Sequence, residues 1–125
     1  MNNGITGPEL SSLPLRFFRS ASGKEPVRDW LKTLGRPDSL VIGEDIRLVQ
    51  LAWPVGLPVC RPMGNGLHEV RSALPSGRIA RVLFCFHAGV IVLLHGFIKK
   101  TEKTPPADLR LAKERRESVL RSEGG

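Results

Sequence analysis

The sequence predicts an α+β fold in which two N-terminal helices pack on one face of an antiparallel sheet and a third helix ends the chain. Two segments of the first half carry apolar residues at helical spacing, three segments of the second half alternate between apolar and polar residues, and a charged helical segment follows. The 125 residues suit one domain. We place it at residues 15–121, after a flexible arm at 1–14 that is rich in Asn, Gly, Ser and Pro.

The first half predicts one short strand and two helices. Residues 15–19 are aromatic and favour a strand. Pro26 near a first turn and Gly35 after the last turn delimit a helix. Its apolar positions are Val27, Trp30, Leu31 and Leu34. A second helix runs from about 39 to 53 with Asp38 or Ser39 as its cap, and Pro54 ends it. Its apolar positions are Ile42, Ile46, Val49 and Trp53.

The second half predicts a three-stranded meander and a helix. Residues 59–66 contain two glycines and a proline and are interpreted as a loop. Strands are expected at 67–74, 78–86 and 90–99, with short hairpin turns between them. Residues 107–121 predict a helix with a weak apolar stripe. The expected order is β-α-α-β-β-β-α.

Side chains alternate between the two faces of a strand, so each strand can be divided by parity. One class is almost wholly apolar and is expected under the first two helices. Its central members are Val82, Phe84, Val92 and Leu94. The other class would bring a cationic set to one face, where it could hold phosphate. This set is Arg71, Arg81, His95 and Lys99. The alternative is structural: Glu69 could neutralise either arginine across the strands, and His95 and Lys99 could be ordinary sheet residues.

The charge is uneven along the chain. The net charge is +7 with a pI near 10.3, and residues 61–121 hold 12 basic and 5 acidic side chains against 7 and 6 in residues 1–60. A polyanion site in the second half and a solvated basic surface are both compatible with this asymmetry. Cys60 and Cys85 have neither metal-ligand nor disulfide-framework spacing. No signal peptide or membrane span is apparent, so a cytoplasmic protein is expected.

Three motifs of the second half resemble HigB-type toxins of the RelE/ParE toxin–antitoxin superfamily, a phage-derived RelE-like family. A glycine-containing loop leads into Leu67-x-Glu69-Val70-Arg71, and a strand with Gly77, Arg81 and Leu83 follows. The third motif is the long string LLHGFIKKTEKTP at 93–105. The resemblance extends over roughly residues 15–120.

This resemblance implies a fold like that of microbial ribonucleases and metal-independent cleavage of messenger RNA, often at the ribosome, without a cofactor. It also implies an antitoxin partner with a helix-turn-helix, of the HigA type, and no membrane partner. The catalytic residues it suggests are Arg71, Arg81, His95 and Lys99. The RNA-binding residues it suggests are Arg61, Phe97, Lys100 and Lys103.

One departure concerns tyrosine, which several RelE-type enzymes use for base stacking or proton transfer. This chain has no tyrosine. Phe97 or His68 could stack a base, but neither replaces a phenolic proton. The missing tyrosine leaves open a weaker enzyme, a different acid–base pair or a non-nuclease relative, and the related toxins that inhibit DNA gyrase are the main alternative. A plain nucleic-acid-binding module is a third hypothesis.

Overall fold

A mixed five-stranded sheet lies between two layers of helix in the computed structural model, which describes residues 12–124. Residues 1–11, most of the expected N-terminal arm, lie outside this range. In chain order the elements are β1 (Leu15–Phe17), α1 (Pro26–Lys32), α2 (Arg36–Ala52), β2 (Cys60–Gly64), β3 (Leu67–Ala73), β4 (Ile79–His87), β5 (Val90–Ile98) and α3 (Pro106–Gly124). The α+β class and the three helices are as predicted.

The sheet is mixed, so the prediction of an antiparallel sheet was wrong for one strand. The strand order is β1-β5-β4-β3-β2, and β1 runs parallel to β5 while the other neighbours are antiparallel. The pairing begins where the Ile91 amide donates to the Pro14 carbonyl at 2.9 Å. Parity is the same in parallel and antiparallel strands, so the sequence pattern alone does not distinguish them.

Strand β2 occupies the segment that was interpreted as a loop. It forms an antiparallel hairpin with β3, turning at Asn65 and Gly66, which both have positive φ angles. Pro62 and the two glycines argued against a strand, because proline has no amide hydrogen to donate to a neighbouring strand. Proline is tolerated in edge strands, and β2 is an edge strand that pairs only with β3.

Helix α2 begins at Arg36, three residues before the predicted start, because Pro37 is tolerated in a first helical turn. The expected cap was wrong. Gly35 is the N-cap residue, and no side chain caps the helix. The buried Asp38 carboxylate instead accepts hydrogen bonds from the Ser76 amide at 3.2 Å and from Arg78 Nη2 at 3.0 Å. Asp38 therefore ties α2 to the turn between β3 and β4.

Helices cover both faces of the sheet, which corrects the one-face expectation for the meander. Helices α1 and α2 cover one face, and we call it the first face. Its buried side chains include Val27, Ile42, Ile46, Val49, Val70, Val82, Phe84, Ile91 and Leu93. Helix α3 covers part of the second face with Ala112 and Val119. Its buried sheet partners are Leu67, Leu83, Cys85, Val92 and Leu94.

A β-bulge in β5 explains why Val92 and Leu94 were assigned to the wrong face. Leu83 pairs with His95, but the next residue, Phe84, pairs with Leu93. One extra residue in β5 therefore reverses parity for the part of the strand before the bulge. Val82 and Phe84 lie under α1 and α2 as predicted, whereas Val92 and Leu94 are buried on the second face.

Within the described residues 12–124, the structure contains no helix that is both long enough and apolar enough to span a membrane.

Gly96 allows α1 to pack closely on β5. A Cβ atom at Gly96 would lie 2.3 Å from Cζ3 of Trp30. We expect Gly96→Ala to lower the free energy of unfolding by about 1–3 kcal/mol, because the ring or the strand must shift. Gly43→Ala is the matched control: no atom lies within 4 Å of its Cβ position, and alanine favours helix over glycine by about 1 kcal/mol. Equal losses in urea unfolding for the two variants would contradict this packing.

Asp38 should make stability depend on pH. The hydrogen bond from Ser76, and to a smaller extent the one from Arg78, lowers the pKa of the Asp38 carboxyl below its usual value. Burial acts in the opposite direction but does not cancel this effect. The stabilisation is present above the unfolded-state pKa of aspartate and is lost as pH falls through the lower folded-state pKa. Asp38→Asn should therefore melt earlier at neutral pH and converge with the wild type in acid. Asp29→Asn, at an exposed position of α1, should match the wild type throughout, and a gap for Asp38→Asn that stays constant into acid would refute the linkage.

Candidate active site

The part of the second face that α3 leaves uncovered forms a charged cavity of about 350 Å³. We call it the cationic cavity. Its charged lining residues are Arg61, Glu69, Arg71, Arg81, Lys99 and Glu102. The remaining wall is the segment 57–60, which leads from α2 into β2. Three arginines and one lysine face two carboxylates here, so the cavity has an excess of positive charge.

Strand register brings these side chains together. Arg71 of β3 lies directly opposite Arg81 of β4, and Arg61 of β2 lies directly opposite Glu69 of β3. The Lys99 amide extends the ladder of β5 by donating to the Ile79 carbonyl at 2.7 Å. Parity thus predicted correctly that Arg71, Arg81 and Lys99 share a face. The pairing of β3 with β4 is regular, and Lys99 lies after the bulge, in the part of β5 whose parity the bulge does not reverse.

Glu69 is the centre of a buried polar network. Its side chain is 1% exposed. Oε1 accepts a hydrogen bond from Arg61 Nε at 3.1 Å and lies 3.3 Å from Arg81 Nη1, while Thr104 Oγ1 donates to Oε2 at 2.6 Å. The structural alternative for Glu69 is therefore confirmed for Arg81, but its second arginine partner is Arg61 rather than Arg71.

Arg81 is held in place by the fold. The residue is 3% exposed. Nη1 donates to Thr104 Oγ1 at 3.2 Å, and Nη2 donates to the Glu102 carbonyl at 3.0 Å. Its buried Nε has no hydrogen-bond partner among the described residues. Arg81 thus fixes the segment after β5 to the sheet and contributes a positive charge to the cavity lining.

Arg71 is the available cation. It is exposed, and within residues 12–124 its guanidinium has no side-chain hydrogen bond or ion pair. Its backbone is nonetheless fixed, because its amide donates to the Val59 carbonyl at 2.7 Å. A guanidinium on a fixed strand with its donors free can bind a phosphate with two parallel hydrogen bonds.

Lys99 and Glu102 form a weak ion pair at the cavity. Lys99 Nζ lies 3.4 Å from Glu102 Oε1, and the Glu102 side chain is 92% exposed. The Lys99 side chain is only 14% exposed, so the pair joins a mostly buried amine to a carboxylate in solvent. The sequence reasoning missed Glu102. Its spacing of three residues from Lys99 was the available signal, but a strand end gave no reason to read that spacing as a contact.

The other predicted site residues lie outside the cationic cavity. His95 Nε2 is 2.6 Å from Asp108 Oδ1 in the first turn of α3, and its ring stacks on Phe97 with centroids 5.6 Å apart. Lys100 is exposed and lines none of the pockets described here, whereas Lys103 lines a neighbouring groove that also contains Arg61. The structure therefore brings together four of the eight predicted residues. They are Arg61, Arg71, Arg81 and Lys99.

Metal binding has no structural support in residues 12–124, which contain no cluster of three or more His, Cys, Asp or Glu side chains able to hold an ion. Cys60 and Cys85 are free and buried, and burial raises the pKa of each thiol. Neither is suited to act as a thiolate nucleophile. The cationic cavity itself offers guanidinium groups, which can bind phosphate, and an amine beside a carboxylate, a pair of groups able to exchange protons.

A comparison with protein families places most of the chain in one of them. The family model described as "Phage derived protein Gp49-like (DUF891)" matches residues 29–117, which is more than half of the chain. The match includes β2 to β5 and every residue that lines the cationic cavity, whereas β1 precedes it. No curated protein matches the chain significantly.

Removal of the Glu69 carboxylate should destabilise the fold strongly. Glu69→Ala leaves Arg81 buried without its counter-charge, and breaking a buried pair in this way typically costs about 3–5 kcal/mol. Glu102→Ala removes a carboxylate from the same cavity at an exposed position and should change the free energy of unfolding by less than about 0.5 kcal/mol. Chemical denaturation of both variants measures the difference. Similar values would mean that Glu69 does not organise the cavity.

Proposed function

The chain belongs to the phage-derived Gp49-like family, a RelE-like toxin family, and we propose that it is a type II toxin that cleaves messenger RNA without a metal ion. The family implies a cognate antitoxin. We further propose that this partner is a HigA-like helix-turn-helix protein, and that the toxin acts in the cytoplasm on mRNA being translated at the ribosome, as HigB-type toxins do.

The observation that carries the proposal is the pairing of a free and a held arginine in one cavity. Arg71 presents unpaired donors, whereas Arg81, opposite it in the sheet, is held through its two terminal nitrogens by Thr104 and the Glu102 carbonyl. A fixed positive potential beside a free guanidinium is suited to a phosphate that gains charge in the transition state, because the cations need not reorganise during the reaction.

The reaction we propose is attack of the ribose 2′-oxygen on the adjacent phosphorus. Arg71 and Arg61 hold the phosphate oxygens. The Glu102 carboxylate accepts the 2′-hydroxyl proton, and the Lys99 ammonium donates a proton to the leaving 5′-oxygen as the P–O5′ bond breaks. The products are a 2′,3′-cyclic phosphate and a 5′-hydroxyl end. No tyrosine is needed in this scheme, since Lys99 supplies the proton.

The remaining predicted residues have supporting roles in the proposal. Lys100 and Lys103 would contact the RNA backbone near the cavity mouth. His95 and Phe97 lie under the start of α3, where Asp108 holds the imidazole. His95 would reach RNA only if that hydrogen bond opened, so we rank it below Lys99 as a catalytic residue.

Arg71→Ala should abolish cleavage while preserving the fold. Loss of one charge-assisted contact to the transition state typically costs about a hundred- to a thousandfold in rate. Arg71→Lys should recover little, because lysine cannot make the bidentate contact. Arg81→Ala should lose both activity and stability, since its side chain is buried. Arg28→Ala, which removes an exposed arginine from α1, is the control and should cut at the wild-type rate.

The measurement is cleavage of a defined message, naked and on translating ribosomes, with circular dichroism to confirm folding. Unchanged cutting by folded Arg71→Ala would place the active site elsewhere. Inhibition of gyrase supercoiling by a protein that cuts neither form of the message would support the gyrase-directed alternative.

A further inference from the structure

A second cavity, of about 310 Å³, lies beside the edge strand β2 and next to the cationic cavity. We call it the aromatic pocket. The ring of Trp53 meets that of His68 edge to face, with centroids 5.0 Å apart, and His68 stacks on Phe84 at 5.3 Å. The lining residues are Trp53, Pro54, Val55, Gly56, Leu57, Cys60, Arg61, Pro62 and His68. The pocket walls are therefore mainly aromatic and aliphatic.

The aromatic pocket adjoins the cationic cavity directly. Leu57, Cys60 and Arg61 line both. Leu57 is 76% exposed, more than the other exposed large apolar residues of the described chain. A single exposed leucine is not unusual in itself, but Leu57 lines both cavities and could therefore contact a ligand that occupies them together.

The pocket chemistry suits a neutral planar group. Burial lowers the pKa of His68, so its ring is neutral at physiological pH. Arg61 stands at the rim, where a guanidinium can contact either a phosphate or the face of a base. Unstacked RNA bases commonly bind on aromatic side chains while the backbone is held by nearby cations.

We propose that the aromatic pocket binds a nucleobase of the RNA strand whose phosphate is held in the cationic cavity. This proposal rests on the function proposed above and extends it with a base subsite formed by Trp53, His68 and Leu57. The nucleotide next to the scissile phosphate would insert its base between Leu57 and the aromatic rings.

Substitution of Trp53 is a poor test, because Trp53 also packs against the core of the first face. The test therefore varies the RNA probe and the exposed residue Leu57, and it leaves Trp53 in place. The probe is a short, fully 2′-O-methylated RNA, which cannot be cleaved, in versions that each carry one abasic nucleotide. The reporter is Trp30→Phe, which leaves Trp53 as the sole tryptophan, since the chain contains two.

We expect the intact probe to change Trp53 fluorescence. One abasic position should abolish this change and weaken binding by about 5- to 150-fold, the range typical for loss of one stacked base. Leu57→Ala should weaken binding of the intact probe and not of that abasic probe. The matched control, Leu51→Ala, removes an exposed leucine from α2 outside both cavities and should bind like the wild type.

Equal binding of all abasic probes would overturn the proposal, as would a base-dependent affinity that changes neither with Leu57→Ala nor in Trp53 fluorescence. These results are separable from the fate of the nuclease proposal. If cleavage depends on Arg71 but all the abasic probes bind equally well, the base subsite alone is rejected. A position-specific response of Trp53 in a protein that cuts no RNA would reject the nuclease and retain the subsite.

Discussion

The carboxylate of Glu69 lies inside a sheet, nearly out of contact with water, and a charge in that environment must be matched by partners within the fold. Arg61 on the edge strand and Arg81 on the next strand provide the positive charge, and the Thr104 hydroxyl donates the remaining hydrogen bond. Since these partners come from β2, β4 and the segment after β5, a single carboxylate fixes three walls of the cationic cavity. The register of the edge strand and the path of the chain into α3 both depend on it.

Two arginines that face each other in the sheet have different roles for this reason. Arg81 is bound within the polar network around Glu69 and contributes a fixed positive charge. Arg71 lies two residues along the strand from Glu69 and keeps its guanidinium donors free. In the proposed complex, a phosphate would meet the free guanidinium of Arg71 next to the fixed charge of Arg81. Much of the energetic cost of arranging these charges would then be met during folding rather than during binding. In the proposed complex, the mainly aromatic and aliphatic walls of the neighbouring pocket would face the base of the same nucleotide.

Much of this arrangement could be predicted from the sequence. Alternation within β3 and β4 placed Arg71 and Arg81 on one face, and the motifs indicated the RelE-like family that the family comparison confirms. What could not be predicted depended on pairings that leave no periodic signal. The bulge in β5 places Leu94 on the second face, against the simple alternation of the strand. Pro62 argued against strand β2, so there was no reason from the sequence to pair Arg61 with Glu69. The apolar stripe of α3 was too weak to show that this helix covers part of the second face.

The central claim is that RNA phosphate binds at Arg71 in a cavity organised by Glu69, and arginine side-chain NMR tests it most directly. In protein labelled with ¹⁵N at arginine, titration with a non-cleavable 2′-O-methylated RNA should shift the Nε–H resonance of Arg71 strongly. The resonance of the solvent-exposed Arg28 should stay in place. Saturable RNA binding that leaves the Arg71 resonance unmoved, with shifts spread over arginines outside the cavity, would contradict the account.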